Sequence, residues 1–366
     1  MRWLIRRPGA IRTLDGVRRL RSGPIARASG VSIGIRLAGL SLTVAHAIIT
    51  ARLLGPAGYG TTAWVISLAQ VAAIAASFGF GALAVREVPT RIAMSQQSEL
   101  AGHWRTALRV TLLLSSLGGI LLAAFLWQAR GPMIAVGGLL VPLLALVALL
   151  RGWGQGFGRV AAAQVPGEIV RPGLLVCIML VVAALGWRLT VVGYLVGAVA
   201  ALLAAVLLAA IWLYRREYAR LPRLADIGTY TGTGTVAAAF PFLCVGLTAV
   251  LQMEINTILL GVLAGPRETG LFQPILRFAP LLILPVEAAT MRYSPRIAEL
   301  WKRDERDRVG RITATFTWTT SLLTLLVGAA IALAGPWLLP VFGRDFTVSA
   351  PLLWIVAGAP LFPAAC

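Results

Sequence analysis

The sequence predicts an all-α, polytopic membrane protein with about ten transmembrane helices arranged in two lobes. Three observations predict this fold class: the share of apolar residues, their arrangement in long runs, and the placement of positive charge. Apolar residues make up 58% of the 366 residues, charged residues 13%, and the mean hydropathy is +0.83. Soluble domains average about 45–50% apolar and about 25% charged residues. The composition therefore excludes an ordinary soluble domain.

The apolar residues fall into ten runs, each at least as long as the roughly 20 residues that a helix needs to cross a bilayer core. Backbone exposed to lipid has no water to hydrogen-bond, so each run is expected to be helical. The predicted spans are 29–53, 60–85, 107–128, 132–151, 160–186, 189–213, 232–263, 270–291, 311–337 and 346–366.

Positive charge predicts the orientation of these spans. With the N-terminus in the cytoplasm, 25 of the 33 Lys and Arg residues fall on inner segments, 5 on outer connections and three within spans. This asymmetry follows the positive-inside rule. The net charge of +19 is spread between the apolar runs and not gathered in one patch with aromatic residues, so it does not predict a nucleic-acid partner.

Residues 1–28 are predicted to form a basic cytoplasmic arm, because no cleavage site follows the first apolar run. Cys177 and Cys244 lie inside apolar runs, and Cys366 is the last residue of the sequence. No CxxC pair or histidine cluster accompanies them, so the sequence predicts neither a metal site nor a disulfide framework.

A repeated pattern divides the chain into two lobes of the same orientation. The stretch "GPAGYG" at Gly55–Gly60 is echoed by "GPRETG" at Gly265–Gly270, at an offset of 210 residues. Further on, "VREVPTRIA" at Val85–Ala93 resembles "MRYSPRIA" at Met291–Ala298. Similarity at a fixed offset indicates a repeat, and parallel repeats related by an axis along the membrane normal occur in transporters. The predicted lobes are a six-helix N-terminal lobe, 29–228, and a C-terminal lobe, 229–366.

Several segments resemble the bacterial oligosaccharide flippases, the polysaccharide-biosynthesis membrane proteins of the superfamily that also holds the multidrug-and-toxin extruders. They are "ARLLGPAGYG…FGFGALAVRE" (Ala51–Glu87), "RGWGQGFGRVAAAQVPGEIVRPGLL" (Arg151–Leu175), "NTILLGVLAGPRETGLFQPILRFAPL" (Asn256–Leu281) and "LLPVFGRDFTVSAPLLWIV" (Leu338–Val356). The resemblance implies a MATE-like fold of two six-helix lobes. It also implies that the C-terminal lobe, with about four helices, is incomplete in this sequence.

Six charged residues lie within predicted spans, where each costs at least about 2.5–3.5 kcal/mol at the bilayer centre and is a candidate for function. They are Arg36, Arg171, Arg277, Glu168, Glu254 and Glu287. Arg277 is our first choice for an anionic substrate group, because its planar guanidinium suits phosphate and stays charged when buried. Glu287 is a candidate coupling carboxylate, with pairing to an inner-end arginine such as Arg292 as the alternative.

Glu168 and Arg171 are three residues apart, which places them on one face of an α-helix. Prolines and glycines bracket them, and broken helices are tolerated where they line protein or water. We therefore expect Arg171 to bind substrate and Glu168 to serve in coupling, or the two to form a self-neutralising structural pair. Arg36 heads a polar stripe with Thr43 and Thr50, suited to a cavity wall, although Arg36 is also close enough to the inner surface to snorkel.

Polar side chains add further candidates for contacts with sugar hydroxyls. Gln252 and Asn256 share a face of one helix, and helix–helix hydrogen bonding is their alternative role. Related flippases usually carry an acidic residue where this chain has Asn256, and Glu254 faces another direction on the same helix. His46 is interpreted as a packed or outer-end histidine. On the second span the corresponding polar residues are Gln70, Ser67 and Ser77.

The resemblance implies a flippase that moves a polyprenyl-diphosphate-linked oligosaccharide across the cytoplasmic inner membrane by alternating access. The product would serve a cell-surface polysaccharide such as lipopolysaccharide or exopolysaccharide. Implied partners are membrane lipids, a polysaccharide polymerase and other assembly proteins, with H⁺ or Na⁺ coupling and no other cofactor. A multidrug or cation extruder of the same fold is the alternative, disfavoured by the three arginines within spans. A polyprenyl-dependent glycosyltransferase is disfavoured because the outer connections are short.

Overall fold

The computed structural model describes residues 24–217, 233–302 and 305–358, and all of its regular structure is helical. Most of the predicted basic arm lies outside these residues. The α-helices are α1 (Pro24–Ser77), α2 (Phe80–Ala93), α3 (Gln97–Arg130), α4 (Leu140–Gly156), α5 (Val160–Val165), α6 (Arg171–Ala184), α7 (Val191–Arg216), α8 (Thr233–Leu263), α9 (Pro266–Lys302), α10 (Arg306–Leu338) and α11 (Ala350–Gly358).

Helix α1 contains two predicted spans. At about 1.5 Å per residue its 54 residues would measure more than twice the roughly 30 Å of a bilayer core. Gly55 breaks the helix, with φ 65° and ψ 179°. Thr43 before the break and Gln70 after it line the same cavity, so the two arms lie side by side. The remaining spans correspond to α3, α4, the α5–α6 unit and α7–α11, which confirms the predicted all-α membrane fold.

Some boundaries differ from the prediction for local reasons. The second span was predicted to continue to residue 85, but Phe78 and Gly79 adopt positive φ and separate α1 from α2. The fourth span begins with a 3₁₀ segment, Pro132–Leu139. A π-helical turn, Pro166–Val170, joins α5 to α6 in the fifth span. Seven helices of the described chain are long and apolar enough to cross a membrane by length and composition.

Glycines with positive φ occur in all five connections that the sequence placed on the outer side. Left-handed backbone conformation is nearly free of cost only for glycine, so these positions allow tight reversals. We call this end of the bundle the glycine-turn end. Its defining residues are Gly55, Gly131, Gly186, Gly265 and Gly343.

Two groups of helices pack against each other along α1, α8 and α9. The N-terminal group, α1–α7, has large apolar clusters around Leu195 and Leu149, both fully buried, and the cluster around Leu149 also takes in Ala239 of α8. A smaller cluster centred on Ile275 and Leu339 holds α9–α11 together in the C-terminal group, α8–α11. A further cluster joins the groups, and it includes Tyr59 of α1 and Leu271 of α9.

The two halves of the sequence repeat touch each other. A Cβ on Gly60 would overlap the carbonyl oxygen of Pro266, and a Cβ on Gly270 would overlap that of Pro56. Gly60 and Gly270 are equivalent positions of the repeat, as are Pro56 and Pro266. The contact from the first motif to the second is therefore the same as the contact from the second to the first. This reciprocity is the contact pattern of a two-fold axis. The two copies of the repeated motif therefore contact each other at the glycine-turn end.

Candidate functional site

A cavity of about 550 Å³ lies between the two helix groups. We call it the central cavity. Polar side chains from both groups contribute to its lining. The N-terminal group contributes Thr43, His46, Tyr59, Thr62, Ala63, Ile66, Ser67, Gln70, Gly167, Arg171, Pro172, Leu175 and Tyr194; the C-terminal group contributes Gln252, Met253, Glu254, Asn256, Thr257, Gln273, Leu276 and Arg277.

Two arginines face this cavity from opposite helix groups. Arg171 is the first residue of α6, and Arg277 lies in α9. They are close enough to repel each other electrostatically. Within the described part of the chain, neither forms an ion pair with a carboxylate. The cavity therefore concentrates positive charge that protein groups do not directly neutralise.

Arg277 keeps an unsatisfied donor. Its Nε is buried and has no hydrogen-bond partner among the described residues. The side chain of Tyr59 lies beside it and interacts with it electrostatically, yet the Tyr59 hydroxyl is also buried without a partner in hydrogen-bonding geometry. Buried polar groups are normally hydrogen-bonded, so the unpaired Nε of Arg277 is a candidate donor to a ligand.

Glu254 supplies a carboxylate to the same cavity. It accepts hydrogen bonds from Ser67 Oγ at 2.5 Å and from Gln70 Nε2 at 3.1 Å. Both donors lie on the second arm of α1, whereas Glu254 lies on α8. The carboxylate thus links the two helix groups, and it is within electrostatic range of both cavity arginines.

His46 lines the cavity, which the sequence interpretation as a packed or outer-end histidine did not anticipate. Its Nε2 lies 3.1 Å from Tyr194 Oη and 3.4 Å from Thr50 Oγ1. Tyr59, Tyr194 and Gln273 were also missed by sequence reasoning. Tyrosines near the ends of apolar runs are typical of membrane interfaces, so their position alone gave no signal of a cavity.

The predicted substrate residues Gln252, Asn256 and Gln70 all line the cavity, as does Ser67. Ser77, in contrast, donates to the Ile74 carbonyl and does not line it.

Glu168 is paired with another arginine and not with Arg171, so the alternative of a self-neutralising pair is wrong. Glu168 Oε1 lies 2.8 Å from Arg151 Nη2 on α4. The reason is the π-helical turn that contains Glu168, since a π turn holds more residues than an α turn and changes which side chains align. Arg171 turns to the cavity and Glu168 turns to α4.

The remaining two predicted residues lie elsewhere. Arg36 is exposed and does not line the central cavity, as its snorkelling alternative requires. Thr43 of the same stripe does line the cavity, but Thr50 is buried and donates to the His46 carbonyl. The side chain of Glu287 lies outside the described part of the structure, so its coupling role stays a prediction.

A second, apolar crevice adjoins the central cavity at Arg277. It measures about 190 Å³ and lies between the first arm of α1, α9 and the segment after α10. Its other lining residues are apolar: Leu40, Val44, Ile48, Phe278, Leu281, Leu338, Val341 and Phe342. Arg277 thus lines both the charged central cavity and the apolar crevice. No group of three or more metal-binding side chains occurs among the described residues.

The fold and this inter-group cavity define a multi-pass membrane protein with the fold of MATE and MOP superfamily transporters. A multidrug resistance MATE family transporter of the MOP superfamily, in an inward-facing conformation, superposes with a TM-score of 0.62 at 16% identity, covering 91% of this chain and 80% of its own. A MOP superfamily transporter from Pyrococcus furiosus, whose binding pocket has reversed polarity, superposes with a TM-score of 0.53 at 17% identity, covering 96% and 84%.

Residues 27–301 match the sequence model of the family described as polysaccharide biosynthesis protein. The chain belongs to this family. The resemblance inferred from the glycine and proline motifs is therefore confirmed. No curated protein matches the chain in sequence.

Proposed function

We propose that the protein is a flippase that moves a polyprenyl-diphosphate-linked oligosaccharide across the cytoplasmic inner membrane by alternating access. Its N-terminus lies in the cytoplasm, and the glycine-turn end faces outward. One observation carries the proposal: Arg171 and Arg277 face one cavity from opposite helix groups, without carboxylate partners in the described chain. Guanidinium groups bind phosphate oxygens through charge-assisted, often bidentate hydrogen bonds.

The parts of such a substrate fit different parts of the cavity. The diphosphate binds Arg171 and Arg277, where the free Nε of Arg277 supplies a donor. Sugar hydroxyls contact amide side chains that line the cavity, Gln70, Gln252, Asn256 and Gln273. The polyprenyl tail leaves through the apolar crevice beside Arg277 and remains in lipid.

Net transport by alternating access is driven by the gradient of the substrate or by coupling to an ion gradient. Carboxylates within the membrane spans are the candidate groups that bind the coupling ion. Glu254 is the cavity carboxylate with a direct bond to the opposite helix group. We propose it as the coupling residue for H⁺ or Na⁺, ahead of Glu168, which is paired with Arg151. Glu287 remains a further candidate.

The test is translocation of a fluorescent polyprenyl-diphosphate-linked glycan in vesicles that contain the full chain. Arg277→Ala is expected to lower the rate about 10- to 100-fold, because hydrogen bonds to charged groups contribute about 1.5–3 kcal/mol. Arg109→Ala is the matched control, since Arg109 is exposed on α3 and does not line the cavity.

Equal rates for wild type and a folded Arg277→Ala variant would contradict the proposed site. Transport of a cationic dye without glycan movement would instead establish the alternative function, a cation extruder. The dye assay separates these two functions because two arginines repel a cation and attract a diphosphate.

A further inference from the structure

At the glycine-turn end, contacts between backbones lie beside the central cavity. Tyr59 lines the cavity, and the next residue, Gly60, touches α9. Gln273 lines the cavity from α9, and Gly270 touches α1 three residues before it. The reciprocal glycine contact therefore lies within about one helical turn of residues that line the cavity.

A second glycine contact, near the glycine-turn end, joins α1 to α8. Gly261 of α8 packs so closely on the indole of Trp64 in α1 that a Cβ there would overlap the ring. Arg130, the last residue of α3, lies 5.4 Å above the same ring and donates from Nη2 to the Gly261 carbonyl at 3.4 Å. This arginine thus joins the N-terminal group to α8.

A second arginine makes the corresponding link on the other side. Arg52, near the end of the first arm of α1, donates from Nε to the carbonyl of Val341 at 2.8 Å. Val341 follows α10 in the C-terminal group. The sequence places few basic residues at this end of the bundle, and two of them are bonded to backbone carbonyls of the opposite group.

The contact differs from a permanent helix interface. Gly81 and Gly152 also meet backbone to backbone, but inside the N-terminal group beside the buried residues Leu149 and Trp153. At Gly60 and Gly270 the touching backbones come from opposite groups, and hydrogen bonds at the rim reinforce them. Glycine–glycine surfaces separate without unlocking interdigitated side chains.

We propose that the Gly60–Gly270 contact, with its Arg52 and Arg130 bonds, is the gate that closes the central cavity at the glycine-turn end and parts to release cargo. The proposal rests on the proposed function only in requiring that the cavity be a transport site. Any side chain at Gly60 or Gly270 would prevent the gate from closing fully, because the space for a Cβ is occupied by backbone of the opposite group.

The test measures access to the cavity without any substrate. Ala63 lines the cavity, so Ala63→Cys, in a background with the native cysteines replaced by serine, reports access to a membrane-impermeant maleimide. The reagent is applied separately to each membrane face. Gly60→Ala and Gly270→Ala are expected to increase labelling from the glycine-turn face about tenfold, the change that a bias of about 1.4 kcal/mol produces.

The matched control is Gly246→Ala. Gly246 also faces the opposite helix group, but its Cβ would lie 3.5 Å from Ile74 Cγ2, an ordinary contact. This variant is expected to label like the parent. Arg52→Gln and Arg130→Gln, which remove the bonds at the rim, are expected to increase labelling about threefold, as loss of roughly 0.7 kcal/mol of closure would do.

Unchanged labelling in Gly270→Ala and in both arginine variants would overturn the gate, even if Gly60→Ala failed to fold. Monodisperse elution in detergent establishes folding for each variant. Because labelling needs no glycan, increased labelling without glycan transport would leave the gate established and the proposed substrate wrong.

Discussion

Two clusters of charge, separated by a few residues of the chain, differ in whether their arginines are paired with a carboxylate. Arg151 and Glu168 form an ion pair at 2.8 Å within the N-terminal helix group. Arg171, three residues after Glu168, faces the central cavity together with Arg277. The first cluster is neutralised by the protein. The second is left positive, which is expensive in a membrane unless an anion completes it.

The boundary between the two clusters is the π-helical turn Pro166–Val170. Such turns are rare and frequently occur at functional sites, because they change the direction of the side chains that follow. Here the turn contains Glu168, which pairs with Arg151 of α4, and Arg171 has no carboxylate partner among the described residues. In this chain, charge within a span therefore indicates a binding role where the local backbone keeps a neutralising neighbour away.

The largest expected effect comes from neutralising the unpaired cluster as a whole. Arg171→Gln/Arg277→Gln is expected to weaken binding of a polyprenyl diphosphate at least about 100-fold, since two charge-assisted contacts are lost. Titration of the purified protein with a short-chain fluorescent polyprenyl diphosphate measures this. Arg151→Gln is the control within the paired cluster, and an equal loss of affinity in that variant would remove the distinction between the clusters.

The next effect tests the acid in the unpaired cluster. Glu254→Gln removes a negative charge near both arginines but retains an acceptor for Ser67 and Gln70. Binding of the same diphosphate is expected to tighten about fivefold, as removal of a roughly 1 kcal/mol repulsion would produce.

The transport assay gives Glu254→Gln a second outcome. If Glu254 carries the coupling, glycan movement in the variant should no longer respond to an imposed H⁺ or Na⁺ gradient, although binding improves. A variant that remains gradient-driven would move the coupling role to another carboxylate, with Glu287 next in order.

The sequence predicted the helical class and part of the site for the same reason. Charge and amide groups in apolar runs are visible without a structure, so Arg277, Arg171, Gln252 and Asn256 were found. The pairing of Glu168 was not, because an α-helical geometry was assumed where the structure has a π turn.

The cavity's aromatic and imidazole groups needed the structure as well. Tyr59, Tyr194 and His46 are single residues in apolar helices, and only the packing of α1 against α7 and α9 brings them to one wall. The repeat at Gly55 and Gly265 was visible as an offset, but its meaning as a reciprocal contact depends on how the two groups meet.

The smallest expected effect concerns the paired cluster. Arg151 and Glu168 are 37% and 21% exposed, so their ion pair is expected to contribute at most about 1 kcal/mol. Glu168→Gln should lower the thermal midpoint in detergent by a few degrees and change glycan transport less than about twofold, because the group does not line the cavity. Arg151→Gln/Glu168→Gln should recover part of the lost stability, since the double variant leaves no unpaired charge. Loss of gradient-driven transport in Glu168→Gln alone, with folding intact, would show that the pair is part of the coupling machinery and that neutralisation by a neighbour does not separate structural from functional charge in this protein.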